Sequence, residues 1–108
     1  MASTFGNTLK TGLGTTPTTV KTTISNGNTT VIGMSLTNTT DNLVTVNIQI
    51  DDGITAAYFI KGVPIPANQS LRVVNGGEKL IMGPSTNLIM SASADGALDL
   101  VMSYVEIT

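Results

Sequence analysis

The chain has 108 residues, no His, Cys or Trp, 11% charged residues and a net charge of −2. Without His and Cys, the commonest general base, the thiol nucleophile and most zinc ligands are missing, so catalysis would have to rest on carboxylates and lysines. An isoelectric point near 4.6 and scattered cations (Lys10, Lys21, Lys61, Arg72 and Lys79) argue against a nucleic-acid footprint.

A hydrophobic fraction of 41% and a mean hydropathy of +0.27 describe a folding chain, and its length predicts one domain. Residues 1–16 are small, polar and broken by Gly. They are expected to form a flexible N-terminal arm, leaving residues 17–108 as a β-sandwich domain. Residues 1–19 lack the charged start and apolar segment of a secretory signal, and no apolar run approaches the ~20 residues of a membrane span. The product is therefore expected to be made in a cytoplasm.

Period-2 alternation dominates the rest of the chain. Residues 18–24 read as a strand closed by the turn Ser25-Asn26-Gly27-Asn28. Residues 31–37 place Ile32, Met34 and Leu36 on one face, and Asn38-Thr39-Thr40-Asp41-Asn42 is a polar turn. Residues 43–51 alternate most clearly, with Val44, Val46, Ile48 and Ile50 against Thr45, Asn47, Gln49 and Asp51.

Asp52-Gly53 predicts a hairpin, with residues 54–61 as the returning strand. Pro64 and Pro66 cannot donate to a ladder, so residues 62–70 are an edge or a connection. Residues 71–74 form a short strand, Gly76-Gly77 a turn, and 79–82 another strand. Gly83-Pro84-Ser85 breaks the pattern, 88–92 resume it, and Ala94-Asp95-Gly96 predicts a second hairpin. The last strand, 98–107, is apolar on both faces, as expected of a central strand or a subunit interface. Seven or eight short strands without helical periodicity predict an all-β, antiparallel β-sandwich, jelly-roll-like or immunoglobulin-like.

The chemical motifs are weak. Asp51-Asp52-Gly53 opens like a calcium loop but lacks its later acids and closing Glu. Gly76-Gly77-Glu78-Lys79 lacks the spacing of a phosphate loop. Asp95, Asp99 and Glu106 are the C-terminal acids, but a glycosidase pair needs a cleft, normally walled by aromatics, and aromatics are 4% of this chain. Three glycosylation sequons, at Asn28, Asn38 and Asn68, are expected by chance in a Thr/Asn-rich sequence. Tyr58 and Phe59 are neighbours on a strand and are expected on opposite faces, one in the core and one as an interface anchor.

The segments GTTPTTV at 14–20, TVIGMSLTNT at 30–39, YFIKGVPIPA at 58–67, SLRVV at 70–74 and VMSYVEIT at 101–108 span most of the chain. In these strand and turn patterns it resembles short virion structural proteins of tailed bacteriophages, particularly those of marine bacteria and cyanobacteria. The resemblance implies a virion protein and carries over no catalytic residues; no cofactor or metal is expected.

The expectation is a capsid decoration (cement) protein that binds the assembled head lattice. Its partners would be the major capsid protein and itself, as a homo-trimer or dimer, with no nucleic acid and no membrane. A neck, tail or fibre-attachment protein and a carbohydrate-binding or adhesive β-module are the alternatives. Candidate interface residues are Phe5 and Leu9 in the arm; Tyr58, Val63, Pro64 and Ile65 at the proline-rich edge; and Tyr104, Val105 and Ile107 in the last strand.

Overall fold

A computed structural model describes residues 2–74 and 79–108. The Gly76-Gly77 turn and most of the Gly76-Gly77-Glu78-Lys79 loop lie outside the described residues. Within them the chain is all-β, with strands β1 (Ser3–Leu13), β2 (Thr18–Thr22), β3 (Asn28–Asn38), β4 (Val44–Asp51), β5 (Ala56–Ile65), β6 (Ser70–Val74), β7 (Leu80–Met82), β8 (Asn87–Ala92) and β9 (Leu98–Ile107).

The strands form two antiparallel sheets. The first has the order β1-β9-β3-β6, with β7 sharing the β3 edge, and the second has the order β2-β8-β4-β5. The chain changes sheets between β1 and β2, β2 and β3, β3 and β4, β5 and β6, β7 and β8, and β8 and β9. With β6 and β7 together forming one edge, this is the order of a jelly roll rather than of an immunoglobulin-like sandwich.

The core lies between the sheets and is aliphatic. Val31, Leu36, Val46, Ile48, Leu88, Leu98 and Met102 are fully buried. Each such side chain contributes about 1.5–3 kcal/mol by leaving water. Among the described residues four polar ones are buried, Thr23, Thr29, Asn38 and Thr86, and all have hydrogen-bond partners.

The expected alternation of β4 holds: Val44, Val46 and Ile48 are buried and the residues between them are not. The Asp52-Gly53 hairpin also forms, with Asp51 opposite Ala56. Gly53 sits at φ +91°, which favours Gly, and the Asp51 and Asp52 carboxylates accept backbone N–H groups of the turn. Pro64 lies in β5, an edge strand of the second sheet, as its missing N–H requires.

Four expectations are corrected. Residues 3–13 are not an arm outside the core. They form β1, paired with β9 from Ser3 opposite Ile107 to Leu13 opposite Leu98, and a register shift after Lys10 turns Leu13 into the core. Ala94-Asp95-Gly96 is not a hairpin turn, because β8 and β9 belong to different sheets.

Ile32 does not share a face with Met34 and Leu36. Val31 pairs with Tyr104 and Gly33 with the adjacent Ser103, so Ile32 is an extra, bulged residue and the inward phase moves to Val31. Tyr58 and Phe59 do not split between core and surface. Phe59 is bulged between Tyr58 (opposite Gln49) and Ile60 (opposite Ile48), and both aromatics are exposed.

Candidate interaction face

Residues opposite one another in an antiparallel ladder point the same way, so the register defines the outer face of the first sheet. One row across it reads Phe5, Val105, Thr30, Ile81. A second reads Leu9, Val101, Ser35, Arg72. Between them runs Asn7, Ser103, Gly33, with the Ile32 bulge beside it.

Two rows of this face expose apolar residues where solvent would favour polar ones. Phe5 is 76% exposed, Leu9 68%, Ile81 69% and Val101 52%. The Ser103 hydroxyl lies 3.1 Å from Asn7 Oδ1, so the middle row is hydrogen-bonded within itself. Two shallow hollows of about 240 and 300 Å³ flank Ile32, one beside Arg72 and Val101 and one beside Phe5 and Tyr104.

The outer face of the second sheet is different. There Asn47 faces Ser91, Asp51 faces Asn87 and then Thr22, and Gln49 faces Tyr58 and Ile89. Phe5, Leu9, Ile81 and Val101 thus lie exposed on the outer face of the first sheet, while the exposed aromatics of the second sheet, Tyr58 and Phe59, sit on its edge strand β5.

The expected interface residues separate into groups. Phe5, Leu9, Val105 and Ile107 share the outer face of the first sheet. Tyr58 and Pro64 point outward from β5, while Val63 on that strand packs partly against the core. Ile65 is 1% exposed and belongs to the core, which corrects its placement at an interface. Tyr104 points to the inner side of β9, where its ring lies against Gly6; a Cβ on Gly6 would come within 2.6 Å of the phenol oxygen. Val101, Ile81 and Ile32 were missed. Val101 carried a signal in the two-sided apolar β9, Ile81 lies in a strand of three residues, and Ile32 was assigned inward because nothing local reveals the bulge.

Several ionisable groups serve local structure. Asp95 accepts the Thr15 hydroxyl and N–H, which hold its pKa below the ordinary 3.8. Asp52 is held below the same value by the N–H groups of Thr55 and Ile54. Asp99 accepts the Gly12 N–H at 3.3 Å. Glu106 instead meets Lys21 at 2.9 Å across the two sheets, so the three C-terminal acids do not converge as a carboxylate pair. Among the described residues no three His, Cys, Asp or Glu side chains come together to hold a metal ion. The Lys61 ammonium sits 4.9 Å from the centre of the Tyr58 ring and covers one face on which a sugar would stack.

The Lys21–Glu106 pair closes one end of the sandwich, with Lys21 also 4.2 Å from the centre of the Tyr104 ring. Burial opposes the Lys21 charge, but the bond to Glu106 and the Coulomb attraction of Tyr104 and Glu106 outweigh it and raise its pKa above 10.5. A raised Lys pKa stabilises the fold below the unfolded value, and the contribution is lost as pH climbs through the folded one. Lys21→Met is therefore expected to lower stability by about 1–3 kcal/mol, because it leaves Glu106 with no counter-charge. In thermal melts that deficit is expected to be constant from pH 6 to 9 and to narrow above about pH 10.5.

No protein-family model matches the chain, and no curated protein matches it at a significant level.

Proposed function

We propose that this chain is a structural protein of a tailed-phage virion, specifically a capsid decoration protein that binds the assembled head lattice as a homo-oligomer. The observation that carries this reading is the asymmetry of the sandwich: the outer face of one sheet carries two rows with exposed Phe, Leu, Ile and Val on either side of a polar row, and that of the other is mostly polar apart from its β5 edge. Several of its ionisable groups are used in turns and in an inter-sheet clamp, and its Thr- and Asn-rich surfaces suit wet contacts between many neighbours. The strand and turn patterns that resemble virion structural proteins supply the choice of particle.

The mechanism is linkage. A protein that binds the assembled lattice and not its dissociated subunits stabilises the lattice by RT ln(1 + [L]/Kd), about 2.7 kcal/mol per site at 100-fold excess over Kd. The low charge limits repulsion between adjacent copies and makes attachment weakly dependent on salt.

The test is copy number per purified virion, by quantitative mass spectrometry against the major capsid protein. Decoration gives a ratio near one per capsid subunit, or one per few. A small multiple of three or six moves the protein to the neck, tail or fibres. Absence from the particle overturns the virion reading and brings forward the adhesive β-module, for which a glycan-array signal abolished by Tyr58→Ala would be the positive result.

A further inference from the structure

We propose that the outer face of the first sheet is covered by a second copy of this chain, in a two-fold symmetric dimer with sheet packed on sheet. The proposal rests on the same face that carries the virion reading, and its test is separate from that of the virion reading.

Size is the first argument. Four strands at ~4.8 Å spacing and ten residues of β9 at ~3.3 Å each give a flat footprint of roughly 600 Å². Side-chain relief adds to it, bringing the face near the roughly 800 Å² per partner of a standard stable interface. The contact would be made by side chains alone, because β9 and β3 lie inside the sheet with ladder partners on both sides. This face can therefore be covered by stacking at about 10 Å, whereas strand addition would engage the free edge of β1 and leave the face uncovered.

Charge is the second argument. The rows that would be covered hold Phe, Leu, Ile, Val, Thr, Ser, Asn and Gly, with Arg72 and Asp99 at the margins. Burying this face against an identical one places no like charges in apposition, the condition an isologous contact must meet at every position. A strongly acidic or basic partner would find no complementary charge in its centre. Symmetry completes the fit. A two-fold axis in the interface plane and perpendicular to the strands lays the Asn7–Ser103 row over its own mate and the outer rows over each other, and one parallel to the strands lays each row over its own mate.

The test is the oligomeric state of the full chain, by sedimentation and light scattering across concentration. A dimer is expected for the parent, and Val101→Lys or Val105→Lys is expected to weaken it by at least about 100-fold, because each substitution enters a two-fold interface twice. Ile54→Lys, at the 94% exposed tip of the β4–β5 hairpin, is expected to leave the dimer intact. Circular dichroism reports folding of each variant, and Phe5→Asp on the edge strand serves if a β9 variant does not fold.

A parent that stays monomeric at roughly 100 µM overturns the proposal. So does a dimer that survives both Val101→Lys and Phe5→Asp, a dimer broken by Ile54→Lys, or a trimer, whose contacts would be heterologous. A monomer that binds purified capsids and loses binding on Val101→Lys assigns the face to the capsid protein, overturning this proposal but not the virion reading. A dimer absent from virions does the reverse.

Discussion

Asn38→Asp is expected to lower the melting temperature by roughly 10–20 °C, equivalent to about 3–5 kcal/mol in a domain of this size. Asn38 is fully buried at the end of β3, where the chain leaves the first sheet for the second. Its Nδ2 donates to the carbonyls of Asn42 at 2.8 Å and Ile65 at 2.9 Å, with Pro66 at 3.3 Å. Its Oδ1 accepts the Thr40 N–H at 2.9 Å and the Thr40 hydroxyl at 2.7 Å. One amide thus ties the β3–β4 connection to the end of β5.

Aspartate has the same shape but replaces the donor with an acceptor, so a buried carboxylate would face carbonyl oxygens with nothing to share. Asn38→Ala loses the bonds without adding charge and is expected to cost less, about 2–3 kcal/mol. The Asp variant should recover part of its loss near pH 4. A carboxyl whose folded pKa is raised is penalised as pH rises above its unfolded value of about 3.9, and when protonated it can donate again. Equal melting temperatures for the Asp and Ala variants at pH 7 would contradict this account. The burial also explains why the sequon at Asn38 is not a modification site of the folded protein.

Leu36→Ala is expected to cost about 2–5 kcal/mol, and Ile32→Ala under about 1 kcal/mol, in chemical denaturation. Alternation alone makes these residues equivalent. The bulge between Val31 and Gly33 separates them, leaving Leu36 fully buried while Ile32 is 37% exposed. Removing Leu36 opens a cavity between the sheets; removing Ile32 trims a side chain already in contact with water. Similar losses for the two would mean that the strand runs without the bulge and that the outer face described above is misassigned.

The alternation of Val44, Val46 and Ile48 needs only the two-residue period of a strand with one face in an apolar layer, and it was legible at once. The central position of β9 was legible from its two apolar faces, and the hairpin after Asp51 from local turn chemistry. The strand identity of residues 3–13 was not, because Gly6, Gly12 and several small polar residues weaken their intrinsic preference. Their order comes from the long ladder with β9, a partner more than 90 positions away for most of the strand. Of the candidate face, Phe5, Leu9, Val105 and Ile107 were named from their residue types, but that they lie together was not readable.

What the amino-acid sequence determined by itself is what depends on near neighbours: strands rather than helices, the Asp51–Thr55 turn, the edge position of Pro64, and a composition poor in reactive groups. The tertiary structure decided what depends on distant pairing. It joined β1 to β9, used Ala94-Asp95-Gly96 to cross between sheets instead of closing a hairpin, buried Ile65, and displaced Ile32 outward. The physical reason is that a side chain's face follows from its parity along the strand only while register is unbroken. One bulged residue reverses that parity for everything beyond it, and whether a bulge forms is settled by the strands on either side and the packing beneath.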